Sequence, residues 1–473
     1  CSHPGGECVT RNLTAQLADF VSRTELADLP DHVRDRAKII LIDTVASAVA
    51  GGHRDEMRQI ERMAIVAAGR GSSPVVGRLP LSPTAAVLVN GYLVTAATVC
   101  DVHRPTLCHV SPQVFAPAVA VGVELEVAGS DFLLAFALGL EMTTRIGNGA
   151  HYSAFRARGW HSPGVWGPFG GAAAAGKLMG LGADELVNAF GLAGSQSAGT
   201  FAHWGTPTIK FHQSRGALSG YIAAQLAAQG FDASKDILTA TDGGLYGTYS
   251  DGGDPEVALH LLGEDWELER LSLRPWPLAS SLQSVATALL HLVEAADVRL
   301  DDIAQATVGL SRTVYDMHGS LPWDDPFHAL LSAPYVTGVI LADRTCWLEQ
   351  FTPERIKDPD LDSFVRNRVK VVIDDTVVGT GAAVSIELVD GRVLSDVREI
   401  PHGDERDPLS MKDVSEKFLK AVGDTLDDAA GDRREGAQKT LQMLQAIEDV
   451  PRVDGSLFGA LTVDGRPAVS FPS

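Results

Sequence analysis

The chain of 473 residues carries 39 basic and 60 acidic side chains, a formal net charge of −21 at pH 7. An acidic field of that size argues against nucleic acid and anionic membrane surfaces as partners. With 45% hydrophobic and 21% charged residues the composition is that of an ordinary globular protein, not a disordered one. At this length the chain buries a large core and divides into two or more domains. No apolar run approaches the ~20 residues of a membrane span. Residues 39–50 (IILIDTVASAVA) come closest, and Asp43 and Thr44 interrupt them. No signal peptide is visible. Cysteines at 1, 8, 100, 108 and 346 are too few and scattered for a disulfide framework, so a reducing cytoplasm is expected. Cys1 and Cys8 fall in a Gly/Pro-containing stretch that reads as loose.

Residues 12–22 and 30–50 read as helices, the second opened by Pro30 and Asp31 and stopped by Gly51-Gly52. A third covers 56–68 and ends at Gly69, and a fourth covers 83–98. The polar interruption CDVHRPTLCHVSP follows, then helices at 114–126 and 131–147. Helix succeeds helix through Phe231, with Gly/Pro joints and almost no alternating pattern. Period-two alternation predicts strands at 306–314, 369–373 and 383–388, with a hairpin turn at Asp390-Gly391 and a return strand at 393–397. Residues 410–423 and 434–448 are helical again, and the acidic stretch 424–432 reads as a solvated loop. Composition shifts near residues 270 and 400. The expected fold class is therefore mainly α: a large all-helical domain (1–268 and 406–473) interrupted by a smaller α+β domain (269–405).

Three polar clusters could carry chemistry. Asp101, His103, Cys108 and His109 lie between two helices. Their residue types suit a metal, but the spacing matches no common zinc pattern, and a loop flanked by Pro105 and Pro112 more often lines a cleft. The second cluster, His151, Tyr152, Arg156, Arg158 and His161, concentrates positive charge in an acidic chain. Arginine can hold a carboxylate on two bonds, and Tyr or His can move a proton; for each arginine alone a solvated loop is the plainer reading. The third is Lys210 and His212, with Arg215 a turn further on. Apolar neighbours (Phe201, Trp204, Phe211) would lower the pKa of Lys210 by desolvation, against the alternative of a surface lysine. Helix N-terminal amides near His161 and Lys210 would help to hold an anion. The bulk-poor run 170–176 either serves this site or simply lets helices approach closely.

There is no phosphate-binding lysine loop, no G-x-G-x-x-G after a strand and no true G-x-S-x-G. Several stretches do resemble one family: IDTVASAVAGG (42–52), CHVSP (108–112), GWHSPGVWGPFGGAAAAGKLMGL (159–181), GTPTIKFHQSRGALSG (205–220), LADRTCWLEQFTPE (341–354) and DPLSMKDVSEKF (407–418). Together they resemble the MmgE/PrpD family over nearly the whole chain. The family includes 2-methylcitrate dehydratase, cis-aconitate decarboxylase and iminodisuccinate epimerase activities. The resemblance implies an enzyme without metal or cofactor, usually a homodimer, that acts on small anionic polycarboxylates at a site between a helical and an α+β domain. Carried over by motif, Lys210, His161, His109 and Tyr335 would be catalytic; Arg274, where the family has a lysine, would clamp a carboxylate, and His212, Asp101, His103 and Tyr152 from the polar clusters are the other expected substrate-binding residues.

This chain also departs from the family pattern. The family's Asp-x-Asp-Asp-Thr run reads Thr98-Val-Cys-Asp101-Val102, and Val110 replaces a proline. Its Lys-x-x-Pro motif with a following Cys or His reads Arg274-Pro-Trp-Pro277-Leu-Ala279. Arginine binds carboxylates but donates protons poorly. The expectation is a divergent lyase, dehydration ahead of epimerisation, that does not run the family's chemistry unchanged. A binder with a decayed site is the alternative.

Overall fold

A computed structural model of the chain describes residues 12–423, 431–459 and 461. The two N-terminal cysteines and residues 424–430 of the acidic stretch lie outside the described residues. The fold is mainly α, with a smaller α+β part, as the period of the apolar residues implies.

Local signals set several helix ends. The Asn12 side chain accepts the Ala15 amide at 2.9 Å and opens the helix Leu13–Arg23. Pro30 precedes Asp31–Gly51, and Ser82 caps Pro83–Ala96. Gly69, at φ +82°, ends Met57–Ala68 in a conformation that few side chains tolerate. The helix Asp31–Gly51 contains the apolar run 39–50 and is buried on nearly every side from Ile40 onward. A helix apolar all round belongs in a core, and among the described residues none is long and apolar enough to cross a membrane.

Glycine decides how closely the central helices cross. A Cβ on Gly170 of the helix Ser162–Leu178 would overlap Thr143 Oγ1, and one on Gly139 would come within 2.8 Å of the Gly170 carbonyl. On the other side, a Cβ on Gly220 would stand 2.5 Å from the Pro168 carbonyl and 2.8 Å from the Gly171 Cα. Ser162–Leu178 is thus clamped, backbone to backbone, between Gly129–Asn148 and Thr208–Ala227. The small residues of 170–176 serve packing.

Among the described residues two large apolar clusters form, with a third, small one around Val87, Ala116 and Tyr221. The first gathers residues from Leu13 to Leu273, adds Trp347, and is completed by Leu409 to Leu461, with Met411–Gly423 packed on Asp31–Gly51. The second runs from Leu278 to Leu388 and covers one face of a four-stranded sheet. The strand order is Val369–Ile373, Ile303–Leu310, Ala382–Leu388, Val393–Arg398. The first pair is parallel and the others antiparallel, Val308 facing Val384 and Ser385 facing Ser395. Ala382, Val384, Ile386 and Leu388 point into the core, where Gln283–Ala296 packs against this strand.

The structure corrects three sequence expectations. The helix predicted to reach residue 98 ends at Ala96, because Thr98 takes a left-handed φ of +61°. The strand predicted over 306–314 ends at Leu310. Residues 312–318 coil into a helix whose buried Val314 had prolonged the alternating pattern. The helical part also holds a hairpin, Arg70–Val75 with Arg78–Leu81, whose strands are too polar and too exposed to show alternation.

Candidate active site

A cavity of about 630 Å³ lies between the two large apolar clusters. His109, Tyr152, His161, Ser162 and Lys210 reach it from the helical part, and Arg274, Ser280, Ser281 and His318 from residues beyond 270. Trp204 lines it and packs against the second cluster, so the helical part contributes an aromatic side chain to the smaller part's core.

His109 stands two residues before the helix Ser111–Glu124. Asp101 holds that corner: its carboxylate accepts the Val110 amide at 2.7 Å and the Ser111 amide at 3.1 Å, and also the Ser111 hydroxyl. Its backbone carbonyl accepts His109 Nδ1–H at 2.6 Å. A carbonyl only accepts, so Nδ1 carries the proton and Nε2 is left as a free acceptor. Burial, with Arg274 adding repulsion, holds the His109 pKa down to about 3, so the ring is neutral at pH 7.

His161 sits at the N-terminus of Ser162–Leu178, its amide bonded to the Gly199 carbonyl at 3.0 Å. Its Nδ1 is 3.0 Å from Nδ1 of His212, so one ring donates and the other accepts, and the two hold opposite tautomers. Burial, followed by the neighbouring His212, keeps His161 well below the usual histidine range, and burial takes His212 to about 4.

Lys210 lies in the first turn of Thr208–Ala227 and is only 5% exposed. Its ammonium donates to the Ala96 carbonyl and stands 4.8 Å from the centre of the Phe327 ring. Burial, then repulsion from Arg54, brings its pKa from 10.5 to about 7, partly opposed by Glu56. Arg274, 2% exposed, donates from Nε to the Cys100 carbonyl at 2.5 Å, from Nη1 to the Leu278 carbonyl at 3.2 Å and from Nη2 to Cys100 Sγ at 3.2 Å. Each terminal nitrogen keeps one further N–H. The Arg274 backbone is fixed from below by Lys417, which donates to its carbonyl (2.9 Å), to the Val99 carbonyl (2.7 Å) and to Asp43 (2.5 Å), all deeply buried. The rest of the lining is largely apolar: Leu107, Trp160, Phe201, Trp204, Val314, Met317, Phe327 and Leu331.

Of the residues expected at the site, His109, His161, Lys210, Arg274 and Tyr152 line one cavity, and His212 stands behind His161. Asp101, His103 and Tyr335 do not line it. Asp101 is spent on the amides beneath His109. His103 lies in the two-residue strand Val102–His103, where neighbours face opposite ways. Val102 lines the cavity, while His103 turns inward to Thr106 Oγ1 at 2.8 Å and Glu267 at 3.3 Å. Tyr335 is buried in the small-part core between Trp323 and Phe351, and its hydroxyl donates to the Gln350 carbonyl at 2.6 Å. Cys100 bonds Arg274 and His103 bonds Glu267, so the suspected metal spacing is pulled apart. No cluster of three or more such side chains forms among the described residues. In the second cluster, His151 pairs with Asp251 at 2.9 Å in an exposed position, and Arg158 holds the Gly247 and Thr248 carbonyls. Arg156 stacks 3.5 Å from the centre of Phe201.

Ser280, Ser281 and His318 were missed. No motif marks them, and Ser281 and His318 are 37 residues apart.

Comparison with known proteins agrees with this architecture. Residues 15–258 match the MmgE/PrpD N-terminal domain, and residues 276–443 match the MmgE/PrpD C-terminal domain. Over 95% of its length the chain is 27% identical to a cis-aconitate decarboxylase-like protein, oryM, of Aspergillus oryzae, covering 98% of that protein. It is 25% identical to the cis-aconitate decarboxylase of Aspergillus terreus (88% of this chain, 90% of the relative). It is 26% identical to the human cis-aconitate decarboxylase, over 93% of each chain. The chain belongs to the MmgE/PrpD family.

Proposed function

We propose that the protein is a lyase that acts on a small carboxylate through an enolate-like intermediate, eliminating water from the carbon next to the one that loses a proton. The observation that carries this reading is the meeting of Lys210, Arg274, His109 and His161 in one largely apolar cavity, with the Lys210 pKa brought down to about 7 by burial. The free N–H groups of Arg274 clamp a carboxylate. Transfer of a proton from the adjacent carbon to a base on the cavity wall leaves an electron pair that spreads onto that carboxylate, where Lys210 and Arg274 face the growing charge. An amine with a pKa near 7 exchanges its proton readily at physiological pH, so Lys210 protonates the departing hydroxyl. His109 Nε2, an acceptor, takes a hydrogen bond from a substrate hydroxyl, and the neutral His161 ring orients a second substrate oxygen. The aromatic and aliphatic walls accommodate an apolar arm on the substrate, and the volume is ample for one.

Loss of carbon dioxide is the second reading. The decarboxylase names of the relatives favour it, as do the apolar walls, which weaken the hydration of a carboxylate about to leave. Epimerisation would use the same intermediate.

The test uses citrate, cis-aconitate and alkyl-bearing 3-hydroxy acids as probes in deuterated water, followed by NMR. Deuterium next to a carboxylate, with loss or gain of water, is the expected result, and Lys210→Ala should abolish it. Carbon dioxide release without C–H exchange would replace dehydration by decarboxylation. Measurable binding of a probe with neither event would mark a binder. Turnover unchanged in Lys210→Ala would remove Lys210 from the mechanism.

A further inference from the structure

We propose that Ser281, hydrogen-bonded to His318, is a second proton-transfer group of this cavity and acts from the smaller part, away from Lys210. The proposal rests on the lyase reading for its substrate, but the geometry stands alone.

The roles of both nitrogens of His318 follow from its partners. Nδ1 lies 2.7 Å from the Leu331 carbonyl, which can only accept, so Nδ1 carries the proton. Nε2 therefore holds a bare lone pair. Ser281 Oγ lies 2.7 Å from it and must donate. The hydroxyl proton is thereby drawn away from the cavity, and the lone pairs of Oγ remain for whatever enters. Both residues line the cavity.

The pair is built into the fold. Ser281 lies in the short turn Ser280–Leu282 that leads into Gln283–Ala296. The Gln283 side chain ties this turn down by donating to the Trp276 and Leu278 carbonyls, at 2.9 and 3.2 Å. His318 ends the helix Arg312–His318 and is 1% exposed, with Trp204 edge-on at 5.7 Å between ring centres. A cross-link between that helix and Leu331 would need Nδ1 alone. The second nitrogen is aimed at a hydroxyl on the cavity wall. Burial lowers the His318 pKa to about 4, so the ring is neutral at pH 7 and its Nε2 lone pair is unprotonated.

The step balances within the protein and substrate. The substrate C–H bond breaks with its electron pair left on carbon, and the proton forms a new O–H bond at Ser281. The former hydroxyl proton of Ser281 passes to His318 Nε2, giving an imidazolium beside the enolate-like charge. Reversal of these transfers returns the proton. Lys210 then serves the leaving hydroxyl, and the two proton transfers are assigned to different walls of the site. Ser281 is the catalytic residue here, and His318 is a positioning and proton-holding residue that acts through it.

The test has one arm that needs no substrate. Phenylmethanesulfonyl fluoride reports a polarised serine: Oγ bonds to sulfur, the S–F bond breaks, fluoride departs, and the proton goes to Nε2. Peptide mapping should find the adduct on Ser281, formed at least tenfold more slowly in His318→Gln, which keeps an acceptor but not a base. No adduct at 281, or equal rates in the two proteins, overturns the proposal. In the second arm, Ser281→Ala should lower deuterium exchange into the best probe about 100-fold while calorimetric binding of that probe changes less than threefold. Exchange within threefold of wild type overturns the catalytic role. Absence of exchange with every probe in the wild-type protein overturns the dehydration reading, and the labelling arm still judges the pair.

Discussion

Replacing Lys210 by methionine should make the protein more stable and inactive at once. The amine titrates near 7 in the fold against 10.5 in an unfolded chain. At about 1.4 kcal/mol per pH unit, its cationic form carries a penalty of roughly 5 kcal/mol. That penalty is fully present below pH 7, where the amine is protonated in both states. Between pH 7 and 10.5 the unfolded chain binds more protons at this site than the fold does, so stability rises with pH. Above 10.5 the penalty is gone. Methionine keeps the apolar stem and removes the charge. It forfeits the bond to the Ala96 carbonyl, worth about 1–3 kcal/mol if that carbonyl is left unpaired, and the contact with Phe327, worth about 0.5–2 kcal/mol. The net expectation is a variant more stable than wild type by roughly 1–3 kcal/mol at pH 6, with the difference closing or reversing by pH 10. Thermal melts of both proteins from pH 6 to pH 10 measure it, and turnover should fall about 10²–10⁴-fold. A stability difference that does not change with pH would refute the claim that burial sets the Lys210 titration.

Other expectations follow from particular contacts. Asp101→Ala strips the Val110 and Ser111 amides of their acceptor and should cost about 2–4 kcal/mol in denaturant titration; an unaffected midpoint would contradict the anchoring role. Lys417→Met leaves Asp43 buried and unpaired and should cost about 3–5 kcal/mol. Adding Asp43→Leu should recover part of this loss, the Val99 and Arg274 carbonyls staying unpaired; a double variant as unstable as the sum of the singles would rule out their coupling. Thr98, β-branched at φ +61°, stores about 1–3 kcal/mol of backbone strain. Thr98→Gly should therefore raise the melting temperature, by about 1 kcal/mol of stability once the entropy of glycine is subtracted, and a lowered one would show the strain argument to be mistaken.

Much of the helical body was legible because its signals are local. Asn12, Pro30, Ser82 and Gly69 act on the residues beside them, and the Asp390-Gly391 turn sets its hairpin, Gly391 lying at φ +86°. The errors arose where one pattern has two structural meanings. Val314 continues a strand-like alternation yet is the buried side of a helix, and Tyr335 shares an apolar helix with core residues while looking like a reactive phenol. His103 and His109, six positions apart in one polar loop, could not be told apart by type. Strand direction sends the first to Glu267, and Asp101 holds the second at the cavity.

The sequence alone determined the mainly helical character, the change to strands in its later third, the family motifs and the acidic surface, since each depends on near neighbours or on composition. Tertiary structure decided which polar groups are chemically competent. The titration of Lys210 depends on burial beside Ala96 and Phe327, and the proton on His318 is placed by the Leu331 carbonyl, with Ser281 brought to its other nitrogen from 37 residues away. Desolvation and tautomer are properties of an environment assembled from distant segments, and no spacing along the chain encodes them.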